Sequence, residues 1–228
     1  MNMNRAIVTA GMGLWYPRGI ARMIMSVHEA HPDFQVCAWV NTLPPGSPAH
    51  ANAPYAFKFH AINHIRRLGV EQILWLDAAV TVHHNLDEFF DQLRVKGHYF
   101  EYNGAVVGEW CADSALAPLG VTREEAFKLP ELCGGCFALD FTHSRSVEFF
   151  DKMFHLASDG VTFPGPWDNR GNKASVDPRV KGHRHDQTAM SVISHRMGME
   201  WQDPDHRLYV YPAYGEPKPE AIFYNRGM

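Results

Sequence analysis

The chain has 228 residues, 46% of them hydrophobic, a composition that fits one compact domain over residues 1–228. Its formal net charge of −4 disfavours a surface that coats nucleic acid, because sequence-independent binding to phosphates needs clustered Lys and Arg. No run approaches the ~20 apolar residues that cross a bilayer, and the apolar stretch after Arg5 is broken by two glycines, unlike a secretory signal. We therefore expect a soluble, cytoplasmic protein.

Hydrophobic periodicity predicts strands that alternate with helices along most of the chain. The predicted strands cover residues 5–10, 34–40, 72–77, 80–83, 98–102, 135–141 and 208–211. The predicted helices cover residues 19–31, 55–68, 86–95, 143–157 and 186–197. This alternation indicates a three-layer α/β/α sandwich around a mixed, mainly parallel sheet. Between residues 159 and 184 the chain is rich in Gly, Pro, Asn and Asp, and a long loop in a compact domain is often functional.

The first strand runs into the loop Thr9-Ala10-Gly11-Met12-Gly13, which is followed by Trp15 and Tyr16. A strand followed by Gly-X-Gly is typical of dinucleotide-binding folds. The third glycine of that pattern would fall at position 16, where the chain has Tyr16, and the second strand ends near Val40 without an acid. An NAD-type oxidoreductase is therefore a less favoured hypothesis.

Two acids are candidates for site residues. Asp77 closes the apolar run that begins at Gln72, and open α/β sheets bind ligands at the carboxyl ends of their strands. Asp186 opens the last predicted helix, where an acid also stabilises the helix N-terminus, and Gln187 follows it. An acid after a Gly-rich loop and a basic cluster has the setting expected of a catalytic residue. That cluster comprises Arg179, Lys181, His183 and Arg184.

The segment Cys133-Gly134-Gly135-Cys136 has the spacing of a redox pair or of half a zinc site. A redox pair normally begins a helix, whereas a strand is predicted here, and no second Cys-X-X-Cys completes a zinc site. We expect instead that the two glycines let the backbone approach a ligand while the cysteines pack.

The order of these segments resembles that of the GT-A glycosyltransferases, which move a sugar from a nucleotide diphosphate to an acceptor. The distinctive segments are Asp77-Ala78-Ala79, with its flanking strands, and Asp186-Gln187 at the start of a helix. The family's metal motif reads Asp-X-Asp, and this chain has Ala79 in place of the second Asp. The resemblance therefore implies the fold and a nucleotide-sugar pocket more strongly than a Mn²⁺ or Mg²⁺ site, for which Asp77 is the remaining ligand.

The resemblance also implies residue roles. Asp77 would hold the ribose or a remaining metal ion, and Asp186 with Gln187 would orient the donor sugar or supply a base. The residues expected to contact the nucleotide and donor sugar are Thr9, Ala10, Gly11, Trp15, Tyr16, Lys58, Asp77, Ala79, Gly134, Gly135, His183, Arg184, His185 and Lys218.

The function implied is transfer of a glycosyl group from a nucleotide-diphosphate sugar to an acceptor bound under residues 159–185. Transfer with Mn²⁺ or Mg²⁺ and transfer without a metal ion both stay open. A glycan, a lipid-linked sugar, a protein and a modified nucleic-acid base all stay open as acceptors. A catalytically inactive nucleotide-sugar-binding protein of the same fold is the main alternative, because the second Asp is missing.

Overall fold

The computed structural model describes residues 4–202, 208–211 and 219–227. The helices in these ranges are α1 (Tyr16–Ala30), α2 (Ala56–Arg67), α3 (Asp87–Lys96), α4 (Asp113–Leu119), α5 (Arg123–Ala126), α6 (Ser144–Ser158) and α7 (His185–Arg196). The strands are β1 (Arg5–Gly11), β2 (Val36–Val40), β3 (Gln72–Leu76), β4 (Val80–Val82), β5 (His98–Tyr99), β6 (Tyr102–Val106), β7 (Pro130–Leu132), β8 (Cys136–Asp140), β9 (Tyr209–Val210) and β10 (Phe223–Asn225).

The central sheet has the strand order β2-β1-β3-β8-β5. β1 pairs in parallel with both β2 and β3, whereas β8 runs antiparallel to its neighbours β3 and β5. All strands of this sheet except β8 therefore point the same way. This confirms the predicted mixed, mainly parallel sheet.

Helices cover both faces of the sheet because successive strand residues present apolar side chains to opposite faces. Ile7 and Leu74 pack in one core cluster with residues of α1 and α3. Val8 and Trp75, one position further along each strand, pack in the other cluster with residues of α2, α6 and α7. The result is the expected three-layer arrangement, with the carboxyl ends of β1 and β3 side by side.

A small second sheet extends this edge and has the order β4-β10-β9. β10 runs antiparallel to β4 and parallel to β9. Phe223 pairs with Val82, and Asn225 pairs with Val80. The last described strand of the chain thus lies beside the segment that follows Asp77.

Several elements differ from the sequence prediction. α1 begins at Tyr16 rather than at residue 19, because Pro17 is compatible with the first turn of a helix. The strand predicted over residues 98–102 is divided into β5 and β6, and β6 pairs with β7 rather than with the central sheet. No element was predicted for α4, α5, β7 or β10, and the predicted strand reaches only the first residue of β6. None of the helices in the described ranges has the length and apolarity needed to cross a membrane.

Candidate functional site

A cavity of about 390 Å³ opens at the carboxyl ends of β1 and β3, where the sequence predicts the donor-binding site. Gly11 lets α1 begin close against β1, because a Cβ at that position would lie 2.7 Å from the Cβ of Tyr16. The cavity is therefore bounded by the end of β1, the first turn of α1, the start of α2 and the segment after β3. The lining residues are Ala10, Gly11, Met12, Tyr16, His50, Tyr55, Phe57, Asp77, Ala78, Ala79, Tyr211, Asn225 and Gly227.

Lys58, on the first turn of α2, is the centre of a buried charge cluster. Its Nζ lies 2.8 Å from Oδ2 of Asp186 and 3.1 Å from Oδ1 of Asp77, and its side chain is 2% exposed. The ammonium also donates a hydrogen bond of 2.7 Å to the carbonyl oxygen of Gly134. A buried charge is stable only when it is paired and hydrogen-bonded, and these three oxygens meet that requirement.

The surroundings of Lys58 keep it protonated. Burial disfavours the charged ammonium, but the carboxylates of Asp186 and Asp77 outweigh that effect and raise the pKa of Lys58 above its ordinary value. The ammonium also lies 5.0 Å from the ring centroid of Tyr55 and 5.6 Å from that of Trp75, within the range of cation–π attraction. The cluster thus holds one fixed positive charge between two acids.

Asp186 lies in the first turn of α7, with only 3% of its side chain exposed. Burial raises the pKa of its carboxyl group to about 6, and the opposing attraction of Lys58 only partly offsets the effect of burial. At neutral pH most Asp186 carboxyls are ionised, yet the group takes up a proton in mildly acidic solution. Such a carboxyl can serve as a hydrogen-bond acceptor or a base.

The backbone of Gly134 and Gly135 contacts both Gln187, which follows Asp186, and Asp77. The amide of Gly134 donates to Oε1 of Gln187 at 3.0 Å, and the amide of Asp77 donates to the carbonyl of Gly135 at 2.9 Å. A Cβ at position 134 would lie 2.6 Å from Cγ of Gln187, so any larger residue would push α7 away. The glycines allow this close approach to α7, whereas the approach to a ligand expected from the sequence stays a prediction.

Asp77 has one carboxylate oxygen bound within the protein and one without a hydrogen bond to any described residue. Its Oδ1 accepts a 2.8 Å hydrogen bond from Nε1 of Trp75 in addition to the Lys58 contact. Its Oδ2 lies 3.3 Å from the position that a Cβ on Gly135 would take. Asp77 lines the cavity, and Oδ2 is therefore the oxygen available to a ligand.

The described residues do not form a donor set suited to a resident divalent cation. No group of three or more His, Cys, Asp or Glu side chains within the described ranges is arranged to hold a metal ion. Asp186 and Oδ1 of Asp77 are both engaged by the Lys58 ammonium, and Ala79 supplies no side-chain oxygen. These residues do not fit the Mn²⁺ or Mg²⁺ site of an Asp-X-Asp motif, and we derive no catalytic step through a metal ion.

Ala79 contributes its backbone instead. Its carbonyl oxygen accepts from the backbone amide of Arg226 at 2.9 Å and from Nη2 of Arg22 at 3.3 Å. The same nitrogen of Arg22 donates to the carbonyl of Gly227 at 2.6 Å. The Arg22 guanidinium thus lies on the segment that bounds the cavity at Ala79, a position that was not identified from the sequence.

The remaining first-loop residues occupy different places. Ala10, Gly11 and Tyr16 line the cavity, and half of Tyr16 is exposed. Thr9 is fully buried under the cavity edge, and its hydroxyl has no hydrogen-bond partner among the described residues. Trp15 is outside the cavity lining, with the Arg18 guanidinium 5.5 Å from its ring centroid.

The three residues before Asp186 lie outside the cavity lining. His183 is buried, with Nε2 3.0 Å from the carbonyl of Thr162 and Nδ1 accepting from the amide of Ala112. Nδ1 of His185 lies 2.8 Å from the carbonyl of Phe163. Burial lowers the pKa of both imidazoles to about 4, so both are neutral at pH 7. His183 and His185 therefore bring no positive charge near the two acids.

Arg184, the third of these residues, is stacked between the rings of Trp110 and Trp167. The other cations of the predicted basic cluster are paired with acids. Arg179 pairs with Glu124 and Asp177, and Lys181 pairs with Glu109. Lys218 lies outside the described residues, so its predicted contact stays a prediction.

Three residues with direct roles in the geometry were not identified from the sequence. Trp75 fixes the Asp77 carboxylate, and the Tyr209 hydroxyl lies 3.3 Å from the Cβ position of Gly135. Glu131 is buried on β7, and burial raises its pKa to about 8. An acid at a strand position that faces the interior is a usable signal for Glu131, but the other two positions look like ordinary core residues.

No protein-family profile matches the chain, and no curated protein sequence matches it. A crystal structure of a glycosyltransferase involved in the glycosylation of the major capsid of PBCV-1 aligns over 97% of this chain and 92% of its own length, with a TM-score of 0.55 and 15% identity. Mouse xyloside xylosyltransferase 1 in its apo form aligns over 97% and 96%, with a TM-score of 0.49 and 10% identity. The likeness to the first structure shows the fold, and the predicted GT-A-like α/β/α sandwich is confirmed.

Proposed function

We propose that this protein transfers a glycosyl group from a nucleotide-diphosphate sugar to an acceptor. The observation that carries the proposal is the Lys58 cluster, in which two acids from distant segments meet beside a strand-end cavity that Asp77 lines, in a GT-A-like fold. Ligands of open α/β sheets bind at this edge. The cavity supplies an aromatic side chain for a base and an acid for ribose, and it is large enough for part of such a ligand. The buried Asp186 is joined to that acid through Lys58.

Each group has a defined task in this proposal. Tyr16 stacks on the base, and Oδ2 of Asp77 accepts a hydrogen bond from a ribose hydroxyl. The donor sugar lies against Gly134, where the ionised Asp186 carboxylate, fixed by Lys58, accepts from a sugar hydroxyl or removes the proton of the attacking group. Gln187 maintains the position of the Gly134 backbone through its 3.0 Å hydrogen bond.

The departing diphosphate is stabilised without a metal ion. Its negative charge develops near Ala79, where the Arg22 guanidinium lies, and a fixed positive charge at such a place lowers the barrier because it needs no reorganisation. Lys58 contributes through its position rather than through free charge, since two carboxylates already surround it. Lys218 is retained in the proposal as a further cation for the diphosphate.

Thermal stabilisation by nucleoside diphosphates and their sugars, measured in EDTA and in Mn²⁺, tests donor binding. A ligand at about 100 times its dissociation constant stabilises the folded state by about 2.7 kcal/mol. We expect one nucleotide sugar to stabilise the protein equally in both conditions, and NAD⁺ to give no shift. A shift that requires Mn²⁺ would refute metal independence, and no shift with any nucleotide would refute the donor site.

Donor hydrolysis, with water as the acceptor, then separates an enzyme from an inactive binding protein. We expect Asp186→Asn to lower the release of nucleoside diphosphate by about 100-fold or more, because a positioned acid or base contributes about that factor. Asp151→Asn, at an exposed acid on α6, is the matched control and should leave the rate unchanged. Nucleotide binding without turnover by the unmodified protein would favour the alternative of an inactive binding protein. The presence of Ala79 in place of the second Asp of the motif supports that alternative.

A further inference from the structure

Arg184 is a half-buried cation without an acidic partner. Its Cζ lies 3.6 Å from the ring centroid of Trp110 and 3.8 Å from that of Trp167. Nη1 donates a 3.0 Å hydrogen bond to the Trp167 carbonyl, and no carboxylate within the described ranges forms an ion pair with the guanidinium. Both flat faces are thus covered by indole rings, while N–H groups along the edge remain available.

Arg170 and Lys181 of the same loop are neutralised by acids of the protein itself. Arg170 pairs with Asp168 at 2.7 Å, and Lys181 pairs with Glu109 at 2.9 Å. Glu131 acts electrostatically on Arg184 without forming an ion pair, and a carboxyl with a pKa of about 8 is mostly protonated at neutral pH. Arg184 therefore keeps an uncompensated charge, which is costly in a half-buried place unless a ligand supplies the anion.

Arg184 is close to the proposed reaction centre but separate from the donor cavity. The ring of His185 lies 5.5 Å from that of Tyr55, which lines the cavity, and 5.9 Å from that of Trp167. Asp186, the acid of the Lys58 cluster, follows directly in the chain. An aromatic wall thus leads from the donor cavity to Arg184, and Trp167 is 54% exposed at its outer end.

We propose that Arg184 and Trp167 bind an acceptor sugar that carries a carboxylate or a phosphate. The planar guanidinium edge matches either anion with two parallel hydrogen bonds, and the exposed indole offers an apolar surface to a sugar ring. This inference rests on the proposed transfer function, because it assigns the acceptor side of that reaction. It also gives Arg184 a different role from the diphosphate contact expected from the sequence.

The test is a titration of the full chain, followed through the indole N–H signals of Trp110 and Trp167 in NMR spectra. The probes are glucuronate, glucose 6-phosphate, neutral glucose and inorganic phosphate. We expect at least one of the two anionic sugars to shift both signals, with an affinity at least tenfold above that of glucose and of inorganic phosphate. Glucuronate binding identifies a carboxylate-bearing acceptor, and glucose 6-phosphate binding identifies a phosphorylated one.

Variants of Arg184 show whether binding of the anionic sugar depends on its guanidinium group. Arg184→Gln should weaken binding of the anionic sugar at least tenfold, and Arg184→Lys, which keeps the charge but loses the planar fork, should weaken it less. Arg170→Gln, at an exposed arginine of the same loop, should leave it unchanged. Unchanged affinity in a folded Arg184→Gln protein, or equal binding of glucose or inorganic phosphate, would overturn the proposal.

Nucleoside-diphosphate stabilisation, measured on the same samples, keeps the two proposals distinguishable. If nucleotides stabilise the protein but neither anionic sugar shifts the indole signals, the acceptor inference is wrong and the donor proposal stands. If an anionic sugar binds through Arg184 and no nucleotide stabilises the protein, the transfer function is wrong, and with it the acceptor role assigned here.

Discussion

Lys58 and Arg184 are two cations close to the proposed chemistry, and the protein holds them in opposite ways. The Lys58 ammonium is 2% exposed and contacts two carboxylates and a carbonyl oxygen. The Arg184 guanidinium is half-buried between two indole rings and has no carboxylate partner in the described part of the chain. The distance of a positive charge from the site therefore does not determine its role.

The difference distinguishes a residue that positions neighbouring acids from a residue that can recognise a ligand. A fully paired lysine fixes the acids around it, and its own charge is already compensated. An arginine stacked between rings is oriented but not neutralised, so it can bind an anion with little rearrangement. The following predictions test this comparison, beginning with the largest expected change in stability.

Replacing Lys58 should have the largest effect. Lys58→Met leaves Asp186 buried without its cation, and removing one partner of a buried ion pair costs about 3–5 kcal/mol of unfolding free energy. Urea denaturation at pH 7 measures this loss. Lys152→Met, at an exposed lysine paired with Glu148, is the control, with an expected change below about 1 kcal/mol.

The double variant Lys58→Met with Asp186→Asn removes the uncompensated charge. It should therefore be more stable than Lys58→Met alone, with Asp77 and its Trp75 hydrogen bond retained. If Lys58→Met is as stable as the control variant, the buried cluster does not have the energetic role assigned to it.

Glu131 connects the two regions, because Asp186 raises its pKa and Arg184 lowers it, although burial has the largest effect. With a folded-state pKa of about 8 against 4.5 for the exposed group, the folded protein binds more protons between these values. Stability should therefore fall as the pH rises from about 4.5 to 8, by up to about 4 kcal/mol from this group.

Glu131→Gln removes that dependence and keeps an oxygen for the 2.7 Å hydrogen bond from Asn103. We expect the variant to be more stable than the original protein at pH 8 and similar to it at pH 4.5, measured by urea denaturation across this range. An unchanged pH profile would show that Glu131 is ionised in the folded protein, and Arg184 would then have a compensating acid nearby.

Arg184→Gln should have the smallest effect on folding. Cation–π contacts contribute about 0.5–2 kcal/mol, and no buried acid loses an ion-pair partner. We expect a loss of about 1 kcal/mol in the same urea experiment. A loss above about 3 kcal/mol would mean that Arg184 supports the fold as Lys58 does, and the contrast between the two cations would disappear.

The layers of the fold could be read from the sequence because they depend on local periodicity. Gln72–Leu76 is apolar over its whole length and forms a central strand, and residues 143–157 give α6 within one residue at each end. β6, β7 and β10 were missed or incomplete, because short strands have little periodic signal and depend on distant partners. Asn103 and Glu131, for example, are bonded across 28 positions.

The site could be predicted as separate pieces but not as a cluster. The sequence pattern identified Asp77, Gly134 and Asp186 as site residues, the family resemblance added Lys58, and the fold brings these four together. The sequence did not reveal which of the site's positive charges are neutralised by acids. That Lys58 is enclosed by both acids, while Arg184 is left without one, follows from side-chain packing between segments far apart in the chain.

The pairing of β10 with β4 has a consequence for how the protein is made. Thr81 and Tyr224 meet across 143 positions, and Asn225 and Gly227 form part of the cavity wall. During translation, β1 to β3 can associate early, whereas this wall is absent until residue 227 has left the ribosome. Contacts between such distant segments also form slowly, because a long loop must close first. Under the proposed function, a nascent chain would gain nucleotide binding only after this point.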